Sequence, residues 1–368
     1  MEILITGSDG FIAKNLIYRL KNLNNIKINL FSKKSNPQNL EKLIVKSDCI
    51  IHLAGENRSN KKSDFNKNNF LLSKKISSII ISNKLEKKVI YSSTTRYKEN
   101  NNYGKTKLKS ETILKQITNL TKSKLKIYRL PNVFGKWSKP NYNSVIATFC
   151  YLISRGKKPS LFNENKYLKI IYIDDLIDQF IKDIFSKNTN NKIKKLNKIH
   201  EITPKQIYLL LNIMNSQRSY LKIKNYNKIL LKNLYSTLLS FYPSVKFKYP
   251  IKTNIDNRGN FAELMRLGNF GQFSFFTINK KKERGGHYHD TKVEKFIILH
   301  GRVRFIFFDL NKKKRIKIDI SDKDYNIIES IPGYVHKLIN IGNTKVTGVI
   351  WSNEEYDKSD PDTFNYEI

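Results

Sequence analysis

The sequence predicts an α/β domain with a doubly wound parallel sheet, followed by an all-β domain. Three observations carry this. The first half alternates strand-like and helix-like segments, the pattern of a parallel sheet whose crossovers are helices. A glycine turn, "ITGSDGF", joins the first strand to the first helix. From about residue 245 short apolar runs are separated by Gly, Asn and Asp turns, as in an antiparallel barrel or sandwich. The expected domains are residues 1–245 and 246–368.

In the first domain "EILIT" reads as a strand and "FIAKNLIYRLKN" as a helix with apolar residues at helical spacing. "IKINLF", "CIIHLA" and "KVIYSS" are further buried strands; "YGKTKLKSETILKQIT" is helical, and "LKIYRLPNVFG" returns to strand. A polar connection, "KNTNNKIKKLNK", follows. "TPKQIYLLLNIMN" then opens a helix, with Thr203 as N-cap, Pro204 in the first position and Gln206 closing a capping box. In the second domain "FSFFTI", "KFIILHG", "RVRFIFFDL" and "KVTGVIW" are the strands.

At 368 residues and 39% hydrophobic, the chain is long and apolar enough for two sizeable cores. Two cysteines, Cys49 and Cys150, are too few for a disulfide framework, so a reducing cytoplasm is expected. Met1 leads directly into an apolar β-like run, so neither a signal peptide nor membrane insertion is expected. The net charge of +37 comes mostly from scattered lysines. Lys, Asn and Ile share A/T-rich codons, and a low-GC genome accounts for their excess without a nucleic-acid partner. No aromatic-studded RNA motif accompanies the charge. The charge would still attract anionic substrates.

"ILITGSDGFIAKNL" places Gly7, Gly10 and Ala13 in a strand–turn–helix. Gly7 permits the tight turn, Gly10 lets a pyrophosphate approach the helix N-terminus, and Ala13 allows close helix packing. Gly7, Gly10, Phe11 and Ile12 are thus candidate cofactor contacts. After the second strand stands "FSKKSN". Where many such sites hold an acidic residue for the ribose hydroxyl, Ser32, Lys33 and Lys34 suit a 2′-phosphate, so NADP is expected rather than NAD. The competing reading is two surface lysines in a lysine-rich chain.

Tyr103 and Lys107 lie four residues apart, on one helix face. A protonated Lys107 would lower the pKa of the tyrosine, fitting Tyr103 to exchange a proton with a ketone. Ser93 or its neighbour Thr94 would hold the carbonyl oxygen. These residues resemble the extended short-chain dehydrogenase/reductase family, which has a Rossmann-like fold. "HLAG" at 52–55 is similar to the family strand end that lines the cofactor, which implicates Leu53, Ala54 and Gly55. "RLPNVFG" at 129–135 and "YIDDL" at 172–176 also match family segments, and the first adds Asn132 as a substrate contact. Family members mostly act on nucleotide sugars.

"RGGHYHDTKVEKFIILHG" holds His287 and His289, one residue apart and so on one face of a strand. Glu294 follows, and "IPGYVHKLIN" adds His336 after a Pro-Gly turn. Three imidazoles and a carboxylate would suit Zn, Mn or Fe. The pattern resembles the cupin superfamily of jelly-roll domains. Its first motif is matched by His287, His289, Glu294 and Gly301, and its second by Pro332, Gly333, His336 and Asn340. The resemblance implies a divalent metal, zinc first among the choices.

"DNRGNFAE" at 256–263 is similar to a segment of deoxysugar 3,5-epimerases, in which Arg258, Phe261 and Glu263 would hold the nucleotide sugar. "RGGHYH" resembles their catalytic segment, which implies a substrate contact for Arg284 and a general-base role for His287. His287 is thereby claimed as both metal ligand and base. Over nearly its whole length the chain resembles the bifunctional CapF/WbjC family. The resemblance implies C3 epimerisation of a UDP-4-keto-6-deoxy-N-acetylhexosamine by the cupin domain, then NADPH-dependent C4 reduction. The product would be UDP-2-acetamido-2,6-dideoxy-β-L-talose, on the route to N-acetyl-L-fucosamine for capsule or O-antigen. A homodimer is likewise implied. Rival readings are a dTDP-sugar substrate, a reductase whose cupin domain only binds sugar or dimerises, and an NADP-sensing nucleic-acid binder.

Overall fold

The computed structural model describes residues 1–58, 62–99, 101–187, 192–220, 222–223, 228–250, 253–256, 259–262, 266–267, 271–354 and 359–368. Five strands of near-continuous Ile, Leu and Val, closed at one edge by a short sixth, build a parallel sheet. Its order is Lys27–Phe31, Glu2–Thr6, Cys49–His52, Lys88–Thr94, Lys124–Leu130, Lys192–Lys194. Ile3, Leu4, Ile5, Ile50 and Ile51 are wholly buried, as expected when helices cover both faces of a parallel sheet. The chain order reverses between Glu2–Thr6 and Cys49–His52. At such a switch point an open α/β sheet forms its ligand crevice beyond the carboxyl ends of the strands.

The helices expected from the apolar spacing are present at Phe11–Lys21 and Asn102–Leu120. The capping box is also formed: Gln206 N–H donates to the Thr203 hydroxyl at 3.2 Å, and Thr203 N–H donates to Gln206 Oε1 at 3.0 Å. It opens the helix Pro204–Tyr220.

The β half contains two five-stranded antiparallel sheets. One runs Lys248–Pro250, Asn326–Glu329, Glu294–His300, Val346–Ser352, Gln272–Ile278. The other runs Arg315–Ser321, Arg302–Asp309, Tyr334–Asn340, Glu283–Tyr288, Phe364–Asn365. Aromatic residues lie between the sheets: Phe296 of the first meets Phe305 of the second edge-on at 5.4 Å, an arrangement that favours the ring quadrupoles.

The chain divides into two compact units. The first comprises Met1–Phe134, Tyr142–Ser144 and Leu168–Glu201; the second comprises Gly135–Asn141, Val145–Tyr167 and Ile202–Ile368. Three stretches that the sequence reading assigned to the first domain, the loop Gly135–Asn141, the segment Val145–Tyr167 and residues 202–245, therefore cluster with the β half. Among the described residues no helix is long and apolar enough to cross a membrane.

Candidate functional site

The first site lies at the carboxyl end of the parallel sheet. Gly7 adopts φ +68°, and a Cβ there would stand 2.6 Å from Ala54 Cα. Only glycine allows both the left-handed turn and this approach. Gly10 is the N-cap of the first helix and supplies no side-chain cap. An α-helix leaves its first-turn amides, here those of Phe11 and Ile12, without intrahelical partners, a ready seat for phosphate oxygens. Ser32 and Ser35 organise the next turn: Ser32 N–H donates to Ser35 Oγ at 2.9 Å, and Lys34 N–H to Ser32 Oγ at 3.2 Å. Lys33 pairs with Glu56 at 2.7 Å, with the lysine side chain 69% exposed.

Leu53, Ala54 and Gly55 follow the strand Cys49–His52. Gly55 stands in tight quarters: a Cβ would lie 2.9 Å from Lys107 Nζ and 3.0 Å from Asn69 Oδ1. Buried Asn69 holds this turn, accepting from Glu56 N–H at 2.6 Å and donating to Glu56 O at 3.0 Å. His52 is buried and pushed down to about 3, by burial first and the Lys107 charge second. The Ser73 hydroxyl donates to Asn69 O, so it accepts from His52 Nε2; the Thr6 hydroxyl then donates to Nδ1. The geometry selects the neutral Nε2–H tautomer.

Tyr103 is the second residue of the helix Asn102–Leu120. Burial raises its pKa, opposed by a hydrogen bond with the Thr94 side chain and by the Arg96 charge. This corrects the expected lowering by Lys107. Lys107 Nζ instead donates to Ser92 O at 2.8 Å and lies 4.9 Å from the centre of the Tyr91 ring. A phenol held protonated is the form that donates to a developing alkoxide.

The two candidate hydroxyls part company. Ser93 donates to buried Glu111 at 2.5 Å, and Glu111 accepts two hydrogen bonds from Arg129, at 3.0 and 2.7 Å. Thr94 is the one beside Tyr103. Asn69, Glu111 and Arg129 were missed as site residues. Glu111 lies four residues beyond Lys107, so the helix-face spacing that picked out Tyr103 and Lys107 was the available signal. Asn132 is exposed, with its amide donating to Lys169 O at 3.2 Å.

Burial lowers Lys107 to about 8, with Glu111 opposing. Its charge is therefore present below about pH 8 and lost as pH rises through that value. The kcat/KM for ketone reduction is expected to be level near pH 7 and to fall above about 8. A pH–rate profile checks this, and a rate sustained to strongly alkaline pH would remove Lys107 from the chemistry.

The second site lies in the β half. His287 and His336 face each other on adjacent strands, Glu294 opens a strand of the opposing sheet, and His289 follows the strand Glu283–Tyr288. One ligand atom from each of the four lies within 4.8 Å of the others. The strand is bulged between Gly285 and His287. Gly285 has φ +92°, and a Cβ there would stand 2.6 Å from His336 O. "RGG" thus provides the backbone that aims the first histidine.

His289 Nδ1 is 2.6 Å from Asp362 O, so it carries the proton and Nε2 presents a lone pair. That lone pair lies 3.2 Å from Glu294 Oε2, and His336 Nε2 lies 3.3 Å from the same oxygen. Burial raises Glu294, but the two imidazoles facing it, where they carry a proton on Nε2, bring it well below the usual carboxylate range. A lone pair facing a carboxylate requires a proton or a cation between them. The donor set of His289, His336, Glu294 and half-buried His287 fits a divalent ion such as zinc. Burial, then His336 and His289, push His287 down to about 3, which keeps it a neutral imidazole at physiological pH.

Asn340 lies outside the cluster, donating to Ile278 O and Thr344 O. Arg284 Nε donates to Thr277 O at 2.8 Å. Phe261 belongs to the strand Gly259–Ala262, in register with Asn254. Arg258 and Glu263 lie outside the described residues.

Residues 3–193 match the NAD dependent epimerase/dehydratase family, and residues 254–364 match the polysaccharide biosynthesis C-terminal domain. The chain is 34% identical over 364 residues to a Pseudomonas aeruginosa protein named UDP-2-acetamido-2,6-beta-L-arabino-hexul-4-ose reductase, covering 99% of this chain and 98% of the relative. The crystal structure of the capsular polysaccharide assembling protein CapF from Staphylococcus aureus is similar throughout, with TM-score 0.65, 31% identity and 100% of both chains covered. A UDP-glucuronic acid 4-epimerase from Bacillus cereus matches 59% of this chain and 85% of its own, at 19% identity and TM-score 0.53, a likeness of fold. A glycine-turn α/β unit and a histidine-bearing jelly roll, joined in this order over the full length of such relatives, place the chain in the NAD dependent epimerase/dehydratase family, among its CapF-type members.

Proposed function

We propose that the protein converts a UDP-4-keto-6-deoxy-N-acetylhexosamine in two steps. The cupin domain, residues 246–368 by the sequence boundary, inverts C3; the reductase domain, residues 1–245, then reduces the C4 ketone with NADPH. The product is UDP-2-acetamido-2,6-dideoxy-β-L-talose, for capsule or O-antigen. The observation that carries this reading is the Tyr103 phenol, held protonated beside the Thr94 hydroxyl at the carboxyl end of the parallel sheet. The Pseudomonas relative, named a keto-sugar reductase, supports the substrate class.

When bound, NADPH would supply the hydride for C4; Tyr103 gives its proton to O4, and Thr94 holds that oxygen. Gly7, Gly10, Phe11 and Ile12 seat the pyrophosphate, and Leu53 to Gly55 line the cofactor. Ser32, Lys33 and Lys34 face the 2′-phosphate. An ion pair as exposed as Lys33–Glu56 contributes about 0–1 kcal/mol, which leaves Lys33 available to a phosphate.

In the epimerisation His287 accepts the C3 proton, and the carbanion delocalises into the C4 carbonyl as an enolate; reprotonation on the other face inverts C3 with no net redox change. His289, Glu294 and His336 would hold the metal. When bound, zinc would supply Lewis acidity toward a sugar oxygen. The half-burial of His287, against nearly complete burial of His289 and His336, favours His287 for proton transfer. Arg258, Phe261, Glu263, Arg284 and Asn132 complete the proposed substrate contacts, and a cytoplasmic homodimer completes the proposal.

Incubation with the UDP-4-keto sugar is expected to oxidise NADPH in preference to NADH, and no oxidation would overturn the proposal. His287→Ala is expected to abolish exchange of the C3 hydrogen with solvent deuterium while retaining metal. Unchanged exchange would favour a cupin domain that only binds sugar; loss of metal would make His287 a ligand.

A further inference from the structure

The segment Asp360–Thr363 lies far along the chain from the histidine motif, yet it grips that motif. The carboxylate of Asp362 accepts from three successive backbone N–H groups. Asp290 donates to Oδ1 at 2.9 Å; Thr291 and Lys292 donate to Oδ2 at 2.9 and 2.6 Å. The Thr291 hydroxyl donates to Oδ2 as well, at 2.9 Å. The same residue's backbone carbonyl accepts from His289 Nδ1 at 2.6 Å. Lys292 reaches back, its ammonium donating to Pro361 O and to Thr363 Oγ1. The chain end continues alongside the motif: Phe364 and Asn365 pair with Tyr288 and His287, and Tyr366 N–H donates to Gly286 O at 2.8 Å.

Asp362 adopts φ +39°, a left-handed conformation unusual for a residue with a side chain. Such a conformation persists when its surroundings over-determine it, and here four donors hold the carboxylate. One residue thus ties the loop Asp290–Lys292 with its side chain and fixes the ring of His289 with its carbonyl. A partner on the outer ring nitrogen sets the tautomer and orientation of a ligating imidazole.

We propose that Asp362 is the positioning residue of the histidine–glutamate cation site, with the C-terminal segment as a clamp that holds His289 ready for metal. This rests on the reading of His289, Glu294 and His336 as ligands. The clamp accounts for a residue that no local motif around His289 would include.

The test is zinc binding to the full chain, by competition with a chromophoric chelator, and the visible spectrum of the cobalt(II)-loaded protein. Asp362→Gly keeps the left-handed backbone relaxed while removing the anchor; Asp362→Asn keeps the shape and one acceptor oxygen. In Asp362→Gly zinc affinity is expected to fall about 10- to 100-fold, and the cobalt absorption to change. Asp362→Asn should lie between that variant and the wild type. Melting of the metal-free proteins reports any loss of fold, and where Asp362→Gly does not fold, Asp362→Asn carries the comparison. Folded variants with wild-type zinc affinity and cobalt spectrum would overturn the clamp while leaving the cation site standing. A wild-type chain that binds neither metal would remove the cation site and the clamp with it.

Discussion

Tyr103→Phe is expected to stop NADPH oxidation while leaving exchange of the C3 hydrogen with solvent intact. The substitution removes one hydroxyl and keeps the ring, so the packing of the helix Asn102–Leu120 against the sheet is undisturbed. What is lost is the hydrogen bond to Thr94 and, on the proposed mechanism, the proton for O4. A positioned proton donor contributes about 100- to 10,000-fold, and a fall of that size in kcat is expected with little change in KM. On the proposed mechanism the exchange depends on His287 in the β half, which the substitution does not touch. Single-turnover reduction and deuterium incorporation, measured on the same preparation, separate the two. Loss of both in a folded variant would show that one site serves both steps. Thr94→Val should lower kcat in the same sense, whereas Ser93→Ala should act through Glu111 and Arg129 on stability.

Lys136→Met is expected to destabilise the β half severely. Lys136 Nζ lies 2.8 Å from Asp290 Oδ1, with the two side chains 2% and 6% exposed. Methionine fills the lysine's volume but leaves the Asp290 carboxylate buried without the ammonium. Removing one partner of a buried ion pair costs about 3–5 kcal/mol. Replacing both at once, with Lys136→Met and Asp290→Asn, should recover part of the loss. Denaturant unfolding of the single and double variants checks this through the midpoint; an unchanged midpoint in the single variant would contradict it. Asp290 directly follows His289, so the same variant should also weaken zinc binding. The neighbouring Trp137 reinforces the point: a Cβ on Gly333 would stand 3.0 Å from its Nε1. "GKWSK" therefore packs against both loops that carry the histidines.

Much of the fold follows from local pattern. Runs such as "EILIT" and "CIIHLA" can be satisfied only as buried strands, and the 3.6-residue spacing of "FIAKNLIYRLKN" admits one apolar face. Gly7 of "ITGSDG" and Gly285 of "RGGHYH" mark positions where a side chain would strike neighbouring backbone. The capping box at Thr203 is a local device and was legible for that reason. His287, His289 and Glu294 are close in the chain, so the end of the strand Glu283–Tyr288 and the short crossing to the strand Glu294–His300 bring them together.

Local sequence therefore specifies the elements, their order and the chemistry-bearing residues within each motif. Only the tertiary structure separated Ser93 from Thr94, since adjacent residues on a strand face opposite ways and local sequence does not say which faces the crevice. It alone showed that burial, and not Lys107, dominates the pKa of Tyr103, because desolvation depends on everything packed around the phenol. It alone assigned Gly135–Asn141 to the β half and brought Lys136 to Asp290, 154 residues away. The grip of Asp362 on His289 across 73 residues is of the same kind. Pairings at such separations leave no periodicity in the chain, because they are set by how packed elements meet.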